Sequence, residues 1–357
     1  MKKVLVGMSG GIDSSVSAYL LKNLGYEVEG VTMKLFKEGQ ALAPNITKDA
    51  CFSPNEVHDI EKSKEICEKI GIKHHVLDLS SVYESYVLKN FRDEYMNART
   101  PNPCVICNQK IKFGALMDYA RESGIEFDYF ATGHYAEIVY AFSRYAIKRA
   151  KDLLKDQSYF LYRLSQEQLS HILFPLASFT KKEVRTIDVN MGFHSANQEE
   201  SMDFYSGDYN ELLKAGERAG NIVDTNGRVL GEHKGFWNYT IGQRKGLGIG
   251  YKEPLYVIAL DSVKNEVVVG TKNETYNSKI LVSNISYMAL DSLKDEMNVS
   301  AKIRSTSPLI SCKVFKKDKK ALVEFDMKVS SPACGQSFVA YKDDIVLFGG
   351  IIEEVLG

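Results

Sequence analysis

The sequence predicts an α/β protein with a doubly wound parallel sheet, followed by a small central domain and a C-terminal β-barrel. Strand and helix patterns alternate over the first 200 residues, whereas glycine turns separate short β-branched runs after about residue 203. A length of 357 residues is also more than one ordinary core accommodates. We place the domains at 1–203, 204–276 and 277–357.

The N-terminal half repeats the order of a strand and then a helix. Apolar residues recur at helical spacing in the helices, and short apolar runs predict the strands. The predicted elements are a strand at 4–7, a helix at 14–25, a strand at 28–36, a helix ending at Gly71, the strand HHVLDL, a helix at 111–124 and a strand at 129–134. In a parallel sheet of this kind, ligands bind beyond the carboxyl ends of the strands.

The C-terminal part has a different pattern. Its short β-branched runs are LYVIALD, EVVVGT, KILVSNI, AKIRS, ALVEFD, QSFVAY and DIVLFGGIIEEV. Many short strands separated by turns are typical of a small barrel. The stretch 204–276 is predicted to be a compact connecting domain.

Composition excludes several classes of protein. A hydrophobic content of 44% and a charged content of 25% are ordinary for a soluble globular protein. No apolar run is long enough to span a membrane, and MKKVLVGMSGG is too short for a signal-peptide core, so we expect a cytoplasmic protein without membrane contact. Six cysteines are too few for a secreted disulfide framework. The net charge of −1 leaves nucleic-acid binding open, because basic residues cluster at 144–155 and 313–320.

A candidate phosphate-binding loop follows the first strand. It reads GMSGGIDSS at 7–15 and opens a helix, whose amino terminus offers free N–H groups to an anion. The loop lacks the G-K-[ST] of a Walker A motif and the G-x-G-x-x-G of a dinucleotide site. It resembles the SGGxDS loop of the PP-loop ATP pyrophosphatases, which release pyrophosphate and activate an oxygen as an adenylate. In that resemblance Asp13 acts through Mg²⁺ or orients the loop.

Two cysteines indicate which atom replaces the activated carbonyl oxygen of the substrate. Adenylation makes a carbonyl oxygen a good leaving group, which a nitrogen or sulfur nucleophile then displaces. Cys104 and Cys107 form a C-x-x-C in PNPCVICNQK, on the same predicted ligand edge as the phosphate loop. In a reducing compartment such a pair favours metal binding or catalysis over a permanent disulfide, and here it favours sulfur transfer.

Several longer motifs follow one another along the chain, namely GMSGGIDSSV, RTPNPCVICNQKIKF, ATGHYA, KDQSYFL, LFPL, GEHKGFWNYTIGQRKGLGIG and ACGQSFVAY. Through these motifs the chain resembles, nearly end to end, the bacterial tRNA-specific 2-thiouridylases. The resemblance implies a PP-loop domain, a linker domain and a β-barrel. It also implies that ATP and Mg²⁺ activate O2 of the wobble uridine of tRNA, and that sulfur then arrives as a cysteine persulfide to give 2-thiouridine.

The matching motifs imply roles for individual residues. The residues expected to bind ATP are Gly7, Met8, Ser9, Gly10, Gly11, Ile12, Asp13, Ser14, Met33 and Gly133. Those expected against the target base or the tRNA are Asn102, Pro103, Cys104, His134, Lys155, Asp156, Gln157, Arg304, Ser305 and Gln336. Flipping the base into a pocket is the expected route to its O2. From its residue type alone, His134 is equally a hydrogen-bonded core histidine.

The cysteines depart from the family pattern, which is N-P-D-x-x-C around the nucleophile. Here Cys104 replaces the aspartate, while Cys107 keeps the position of the nucleophile. The persulfide-carrying cysteine belongs to a segment resembling E-S-x-[DE]-I-C-F, but this chain has Tyr205 there and no cysteine between 107 and 312. The usual relay between two cysteines therefore does not operate as written.

Three hypotheses explain this departure. In the first, Cys104 and Cys107 share the work, one as the persulfide and the other as the resolving thiol. A C-x-x-C often lowers a thiol pKa, which helps both steps. In the second, Cys104, Cys107 and a third cysteine hold a [4Fe-4S] cluster, for which Cys51 is the best placed by topology. In the third, the protein is a paralogue that binds RNA without thiolating it.

Two further alternatives concern the substrate. A PP-loop enzyme can instead form an amide on a small metabolite, and altered sulfur chemistry can accompany a different RNA position. The sulfur donor, either a persulfide carrier protein or free sulfide, is not readable from the sequence.

Overall fold

The computed structural model describes residues 1–37, 51–52, 56–195, 204–205 and 207–357. The chain divides into two compact units. The first unit comprises Met1–Val87, Pro103–Gly207 and Asp343–Val346, and the second comprises Leu88–Asn102, Asp208–Lys342 and Leu347–Gly357. The domain boundaries drawn from the sequence stay predictions.

The strands fall in chain order as follows. They are β1 Lys3–Gly7, β2 Glu27–Lys34, β3 Lys73–Asp78, β4 Tyr129–Ala131, β5 Ala136–Ala141, β6 Arg144–Arg149, β7 Ile172–Leu173, β8 Gly220–Asp224, β9 Val229–His233, β10 Tyr256–Asp261, β11 Glu266–Gly270, β12 Tyr276–Tyr287, β13 Glu296–Lys302, β14 Ile310–Lys317, β15 Lys320–Ser330, β16 Ser337–Lys342 and β17 Ile345–Leu356.

The α-helices are interrupted by π-helical turns at two places. They are α1 Ile12–Asn23, α2 Glu56–Ile70, α3 Ser80–Tyr83, α4 Lys89–Met96, α5 Pro103–Ile106, α6 Leu116–Glu122, α7 Gln166–Ser170, α8 Lys181–Met191 and α9 Tyr209–Leu213. The π-helical turns are Glu84–Leu88, between α3 and α4, and Cys107–Ala115, between α5 and α6. Short 3₁₀ turns lie at Ser158–Phe160, Phe236–Asn238 and Lys272–Thr275.

The first unit contains a parallel sheet with the strand order β3-β2-β1-β4-β7. Its central strand β1 pairs with β2 on one side and β4 on the other, and both pairings are parallel. Val4, Leu5 and Val6 are buried because a central parallel strand is covered on both faces. Helix α1 packs Ala18 and Leu21 into the same core as Val4 and Val6. The doubly wound fold class is thus confirmed.

The second unit contains a small sheet and a closed barrel. The small sheet has the order β10-β11-β8-β9. The barrel runs β12-β15-β14-β13-β16-β17, and β17 pairs back with β12. Closure leaves no free strand edge in the barrel, and Val282, Val314 and Val323 are fully buried. The predicted C-terminal barrel is therefore confirmed.

Two local features differ from the sequence expectation. The segment that carries Cys104 and Cys107 is helical from Pro103 to Glu122, so the predicted helix at 111–124 begins eight residues earlier. Strands β5 and β6 form a hairpin that periodicity did not indicate. Among the described residues, no helix combines the length and the apolar character needed to cross a membrane.

Candidate active site

The loop between β1 and α1 is held by its own serines. The backbone N–H of Ser9 donates to Oγ of Ser14 at 3.2 Å, and Oγ of Ser14 donates to the carbonyl of Gly11 at 3.0 Å. Oγ of Ser15 donates to the same carbonyl at 2.8 Å. These contacts fold the loop over the first turn of α1, where backbone N–H groups are available to an anion.

Gly133 allows the segment after β4 to approach this loop. A Cβ at residue 133 would lie 2.7 Å from the backbone carbon of Asp13 and 2.8 Å from the nitrogen of Ser14. Real Cβ atoms do not approach backbone atoms so closely, so only glycine fits without movement. The family resemblance placed Gly133 beside the nucleotide loop, and the structure brings the two segments into contact.

Asp13 is oriented by two side chains that the sequence did not single out. Its Oδ1 accepts a hydrogen bond from the hydroxyl of Tyr135 at 2.9 Å and lies 2.7 Å from Nζ of Lys181. Lys181 opens helix α8, and Tyr135 belongs to the quoted motif ATGHYA. The two contacts fix the carboxylate at the first turn of α1.

A cavity of about 180 Å³ opens beside the loop. The expected ATP-binding residues that line it are Gly7, Met8, Ser9, Asp13, Ser14, Met33 and Gly133. Gly10, Gly11 and Ile12 form the adjoining loop and the start of α1 without lining the cavity. Two residues expected to contact tRNA, His134 and Gln157, line it as well.

His134 is a hydrogen-bonded core histidine that also lines the cavity, and its contact with tRNA stays a prediction. It is buried, its Nδ1 lies 2.7 Å from the hydroxyl of Thr132, and its ring packs near Phe113 and Phe174. Burial and the charge of Lys112 hold the pKa of His134 well below the usual histidine value, so its ring is neutral at neutral pH. His134 is thus a packed neutral histidine at the wall of the cavity.

Lys112 connects the cavity with the cysteines. It lines the cavity, and it lies five residues after Cys107 in the π-helical turn. Burial lowers its pKa, but the attraction of Cys107, Cys51 and Cys104 outweighs burial, so the pKa of Lys112 is raised overall. The lysine belongs to the motif RTPNPCVICNQKIKF, but its residue type and spacing alone do not indicate a role.

All six cysteines are free thiols. Cys104 and Cys107 are half-buried, and Cys51 is exposed. Burial raises the pKa of Cys107 to about 11, with Lys112 opposing and Cys51 adding to the increase. The expectation that the C-x-x-C lowers a thiol pKa is therefore not met at Cys107, where the loss of hydration dominates.

The predicted iron–sulfur ligands do not form a ready metal site. Cys51, Cys104 and Cys107 are near enough to influence the pKa of Lys112 together. Within the described part of the chain, however, no three His, Cys, Asp or Glu side chains are placed to hold a metal ion. The three thiols match a cluster in chemistry but not in their arrangement here.

Tyr205 fills the position at which a relay cysteine was expected. Its side chain is buried, and its ring lies 6.3 Å from that of Phe52. Phe52 in turn stacks on Tyr83 at 5.3 Å. An aromatic cluster therefore occupies this place.

Two residues expected to contact tRNA have partners inside the first unit. The carboxylate of Asp156 is fully buried, and Arg149 donates to it at 3.2 Å. Oε1 of Gln157 accepts from the backbone N–H of Tyr135 at 2.9 Å. Lys155 is half-buried in the same segment.

The residues of the second unit that are expected to contact tRNA also have hydrogen-bond partners within that unit. The guanidinium of Arg304 donates to the carbonyls of Ile241 and Ser331 at 2.9 and 2.7 Å. The amide of Gln336 donates to the carbonyl of Pro101 at 2.9 Å, which places it beside the residue before Asn102. The carbonyl of Ser305 accepts from Lys302 at 3.2 Å.

The fold and the site define an α/β protein in which a glycine- and serine-rich loop and Lys112 line one cavity. Comparison with protein families agrees with this class. Residues 2–205 match the tRNA methyl transferase HUP domain, 212–271 the tRNA methyl transferase PRC-barrel domain and 277–352 the aminomethyltransferase beta-barrel domain.

Curated relatives match over their full length. The tRNA-specific 2-thiouridylase MnmA of Endomicrobium trichonymphae is 46% identical over 355 residues, 98% of each chain. The enzyme of the same name from Halothermothrix orenii is 42% identical over 99% of each chain. MnmA 1 of Caldanaerobacter subterraneus subsp. tengcongensis is 43% identical over 99% of this chain and 98% of its own. The chain belongs to the tRNA-specific 2-thiouridylase family.

Proposed function

We propose that the protein is an ATP-dependent tRNA sulfurtransferase that makes 2-thiouridine at the wobble position. In the first step, O2 of the uridine attacks the α-phosphate of ATP and pyrophosphate leaves. In the second step, a sulfur nucleophile attacks C2 and AMP leaves with the former O2. The names of the full-length relatives support this reaction.

One observation carries the proposal from the structure of the first unit. Lys112 lines the cavity that the phosphate loop lines, and it is electrostatically coupled to Cys107. Lys112 therefore links the cavity beside the anion-binding loop to the Cys107 thiol, and adenylation followed by sulfur transfer requires both an anion site and a thiol. Two of the matching family models are described as tRNA methyl transferase domains. The combination of a phosphate loop and a thiol favours sulfur transfer and gives no support to methyl transfer.

The loop residues are proposed to bind the ATP phosphates, and Asp13 is the carboxylate available for Mg²⁺. Carboxylate oxygens suit Mg²⁺, which usually reaches a protein together with substrate phosphates. The contacts of Asp13 with Lys181 and Tyr135 favour its orienting role, because they hold one carboxylate oxygen in place.

Cys104 and Cys107 are proposed to handle the sulfur. Burial raises the pKa of Cys107 to about 11 although Lys112 opposes the increase, so the thiol is mostly protonated near neutral pH. Lys112 is proposed to favour the small thiolate fraction that reacts. For the cluster hypothesis, Cys51, Cys104 and Cys107 would be the ligands, but their arrangement here does not support deriving a step through iron.

The tRNA contacts are proposed to come from Lys155, Gln157, Arg304, Ser305 and Gln336, with Asn102 and Pro103 near the target base. Lysine and arginine would position the RNA through its phosphates. Asp156 is proposed to act indirectly, because its buried carboxylate shapes the segment that carries Lys155 and Gln157.

The proposal is tested with purified protein, a tRNA transcript, MgATP, a persulfide-carrying donor protein and a thiol reductant, which reduces the disulfide left between Cys104 and Cys107 after each transfer. We expect tRNA-dependent release of AMP and pyrophosphate and a thiolated wobble uridine by nucleoside mass spectrometry. Cys107→Ser should abolish thiolation, whereas Cys312→Ser, in the barrel, should not. Pyrophosphate exchange without RNA would favour the amide-forming ligase. Binding of tRNA without pyrophosphate release would favour the binding paralogue, and a thiolated nucleotide elsewhere would change the target position.

A further inference from the structure

His194 and Asp188 form a buried pair that touches the phosphate loop. Nδ1 of His194 lies 2.7 Å from Oδ1 of Asp188, and its Nε2 lies 2.8 Å from the carbonyl oxygen of Gly10. Both side chains are fully buried. Neither residue belongs to a motif that the sequence analysis used.

The end of helix α8 brings the two residues together. Gly192 adopts the left-handed conformation with φ 66° and ends the helix. The chain then turns back, so that the N–H of Phe193 donates to the carbonyl of Asp188 at 3.2 Å. The Phe193 ring packs edge-on against Tyr19 of α1 at 5.9 Å. His194 is therefore fixed between the end of α8 and the loop that precedes α1.

The hydrogen bonds determine where one proton lies. A carbonyl oxygen only accepts, so Nε2 of His194 must carry the proton that bonds to Gly10. The contact of Nδ1 with Oδ1 of Asp188 holds the ring in the orientation that presents Nε2 to Gly10. Within the described residues, Oδ2 of Asp188 has no hydrogen-bond partner. Burying such an oxygen costs free energy, so the pair is not explained by stability alone.

The contact with Gly10 controls the direction of the next N–H group. The peptide between Gly10 and Gly11 is planar, so its carbonyl and its N–H point in opposite directions. His194 holds the carbonyl, so the N–H of Gly11 points away from His194 and donates to Oγ of Ser9 at 3.4 Å. Gly11 precedes the first turn of α1, where backbone N–H groups bind anions, and an arriving phosphate oxygen would replace this long contact as the acceptor.

The close approach of α2 requires a glycine at position 10. Its φ is 72°, and a Cβ at this position would lie 2.9 Å from the carbonyl oxygen of Asp59 in α2. The backbone of Gly10 therefore passes between α2 and the ring of His194, which contacts the Gly10 carbonyl oxygen.

We propose that Asp188 and His194 are a positioning pair that aims the N–H of Gly11 at a phosphate group of ATP. The inference rests on the proposed function, since it assigns the loop to ATP. His194 acts through the Gly10–Gly11 peptide, and Asp188 acts by holding the imidazole.

The test compares variants that keep or remove the donor to Gly10. His194→Leu removes it, whereas the amide of His194→Gln can still reach the carbonyl. In Asp188→Asn the amide can donate to Nδ1 and leave the proton on Nε2, but Asp188→Leu cannot. His58→Gln, exposed on α2, is the matched control.

We expect His194→Leu and Asp188→Leu to raise the KM for ATP about tenfold or more in tRNA-dependent AMP formation, with a smaller change in kcat. His194→Gln and Asp188→Asn should recover most of the affinity. Equilibrium dialysis with labelled ATP on the folded protein should show the same order.

Other outcomes would overturn the inference or the proposed function separately. If the leucine variants keep the ATP affinity and lose only kcat in proportion to the folded fraction, the pair is merely structural. If wild-type protein binds ATP but does not thiolate tRNA, the proposed function fails, while the dialysis series still decides the role of the pair. If wild-type protein does not bind ATP, both fail.

Discussion

The backbone N–H of Phe52 donates to the carbonyl oxygen of Phe204 at 3.0 Å. This bond sets the Cys51–Phe52 step alongside Phe204 and Tyr205. Tyr205 stands where a relay cysteine was expected. The hydrogen bond between Phe52 and Phe204 brings Cys51 close to Tyr205 along the backbone. The thiol of Cys51 also contributes to the raised pKa of Cys107.

We therefore predict that Cys51→Ala lowers thiolation of tRNA at least about tenfold, while tRNA-dependent pyrophosphate release continues, because adenylation needs no thiol. Cys67→Ala is the control, since Cys67 is buried in α2. Equal loss in both variants would contradict a specific role for Cys51.

Cys51 could serve as a ligand of an iron–sulfur cluster or as a thiol of the sulfur relay. Iron analysis and a visible spectrum of anaerobically purified protein distinguish these two roles. If the thiols hold a cluster, wild type contains iron and Cys51→Ala loses it. Iron near zero in active wild-type protein would reject the cluster. Iron lost only from Cys104 and Cys107 variants would remove Cys51 from the ligand set.

The reactivity of Cys107 should depend on Lys112. Because its pKa is about 11, the rate of alkylation by iodoacetamide should rise with pH up to that region. Lys112→Met removes the positive charge that favours the thiolate, so the pKa should rise further and the rate near neutral pH should fall about tenfold for each pKa unit. Peptide mass spectrometry measures the rate at Cys107. Lys110→Met, exposed in the same turn, should leave it unchanged, and equal slowing in both variants would refute the prediction.

Asp13 and Lys181 should be coupled in ATP binding. Lys181→Met leaves the Asp13 carboxylate without its cationic partner, so its charge should repel the phosphates and raise the KM for ATP. In the double variant with Asp13→Asn this repulsion is absent. We expect a coupling energy of about 1 kcal/mol in a double-mutant cycle of kcat/KM. Lys182→Met, one residue along and exposed, is the control, and additive effects at Asp13 and Lys181 would contradict the coupling.

Two neighbouring residues should separate stability from RNA binding. Asp156→Ala removes the buried partner of Arg149, which keeps its pair with the more exposed Asp344 at 3.0 Å, and should lower the free energy of unfolding by about 3 kcal/mol or less in urea denaturation. Lys155→Ala should weaken tRNA binding and reduce its salt dependence, because one phosphate contact is lost. A Lys155 variant with unchanged salt dependence would exclude a phosphate contact.

The sequence predicted the parts of this protein that have local signals. The phosphate loop has a characteristic spacing of glycines and serines, so Gly7, Ser9 and Ser14 were found and do line the cavity. Alternating strands and helices likewise predicted the parallel sheet.

The residues that escaped prediction act across long sequence distances. Lys181 meets Asp13 168 residues away, and His194 meets Gly10 184 residues away. Neither contact leaves a periodic trace in the chain. The pKa of Cys107 was misjudged for another reason, because the degree of burial is set by packing and not by the C-x-x-C spacing.

The π-helical turn at Cys107–Ala115 places Cys107 and Lys112 on the same side of the helix. In an α-helix, residues five apart are rotated by about 140° around the axis and face different directions. A π-helical turn bonds residues five apart, so it stacks them on one side. Such a turn corresponds to one extra residue in a helix. Shortening this helix by a single residue would therefore separate the lysine from the thiol without altering either side chain, and relatives can be sorted by that residue count alone.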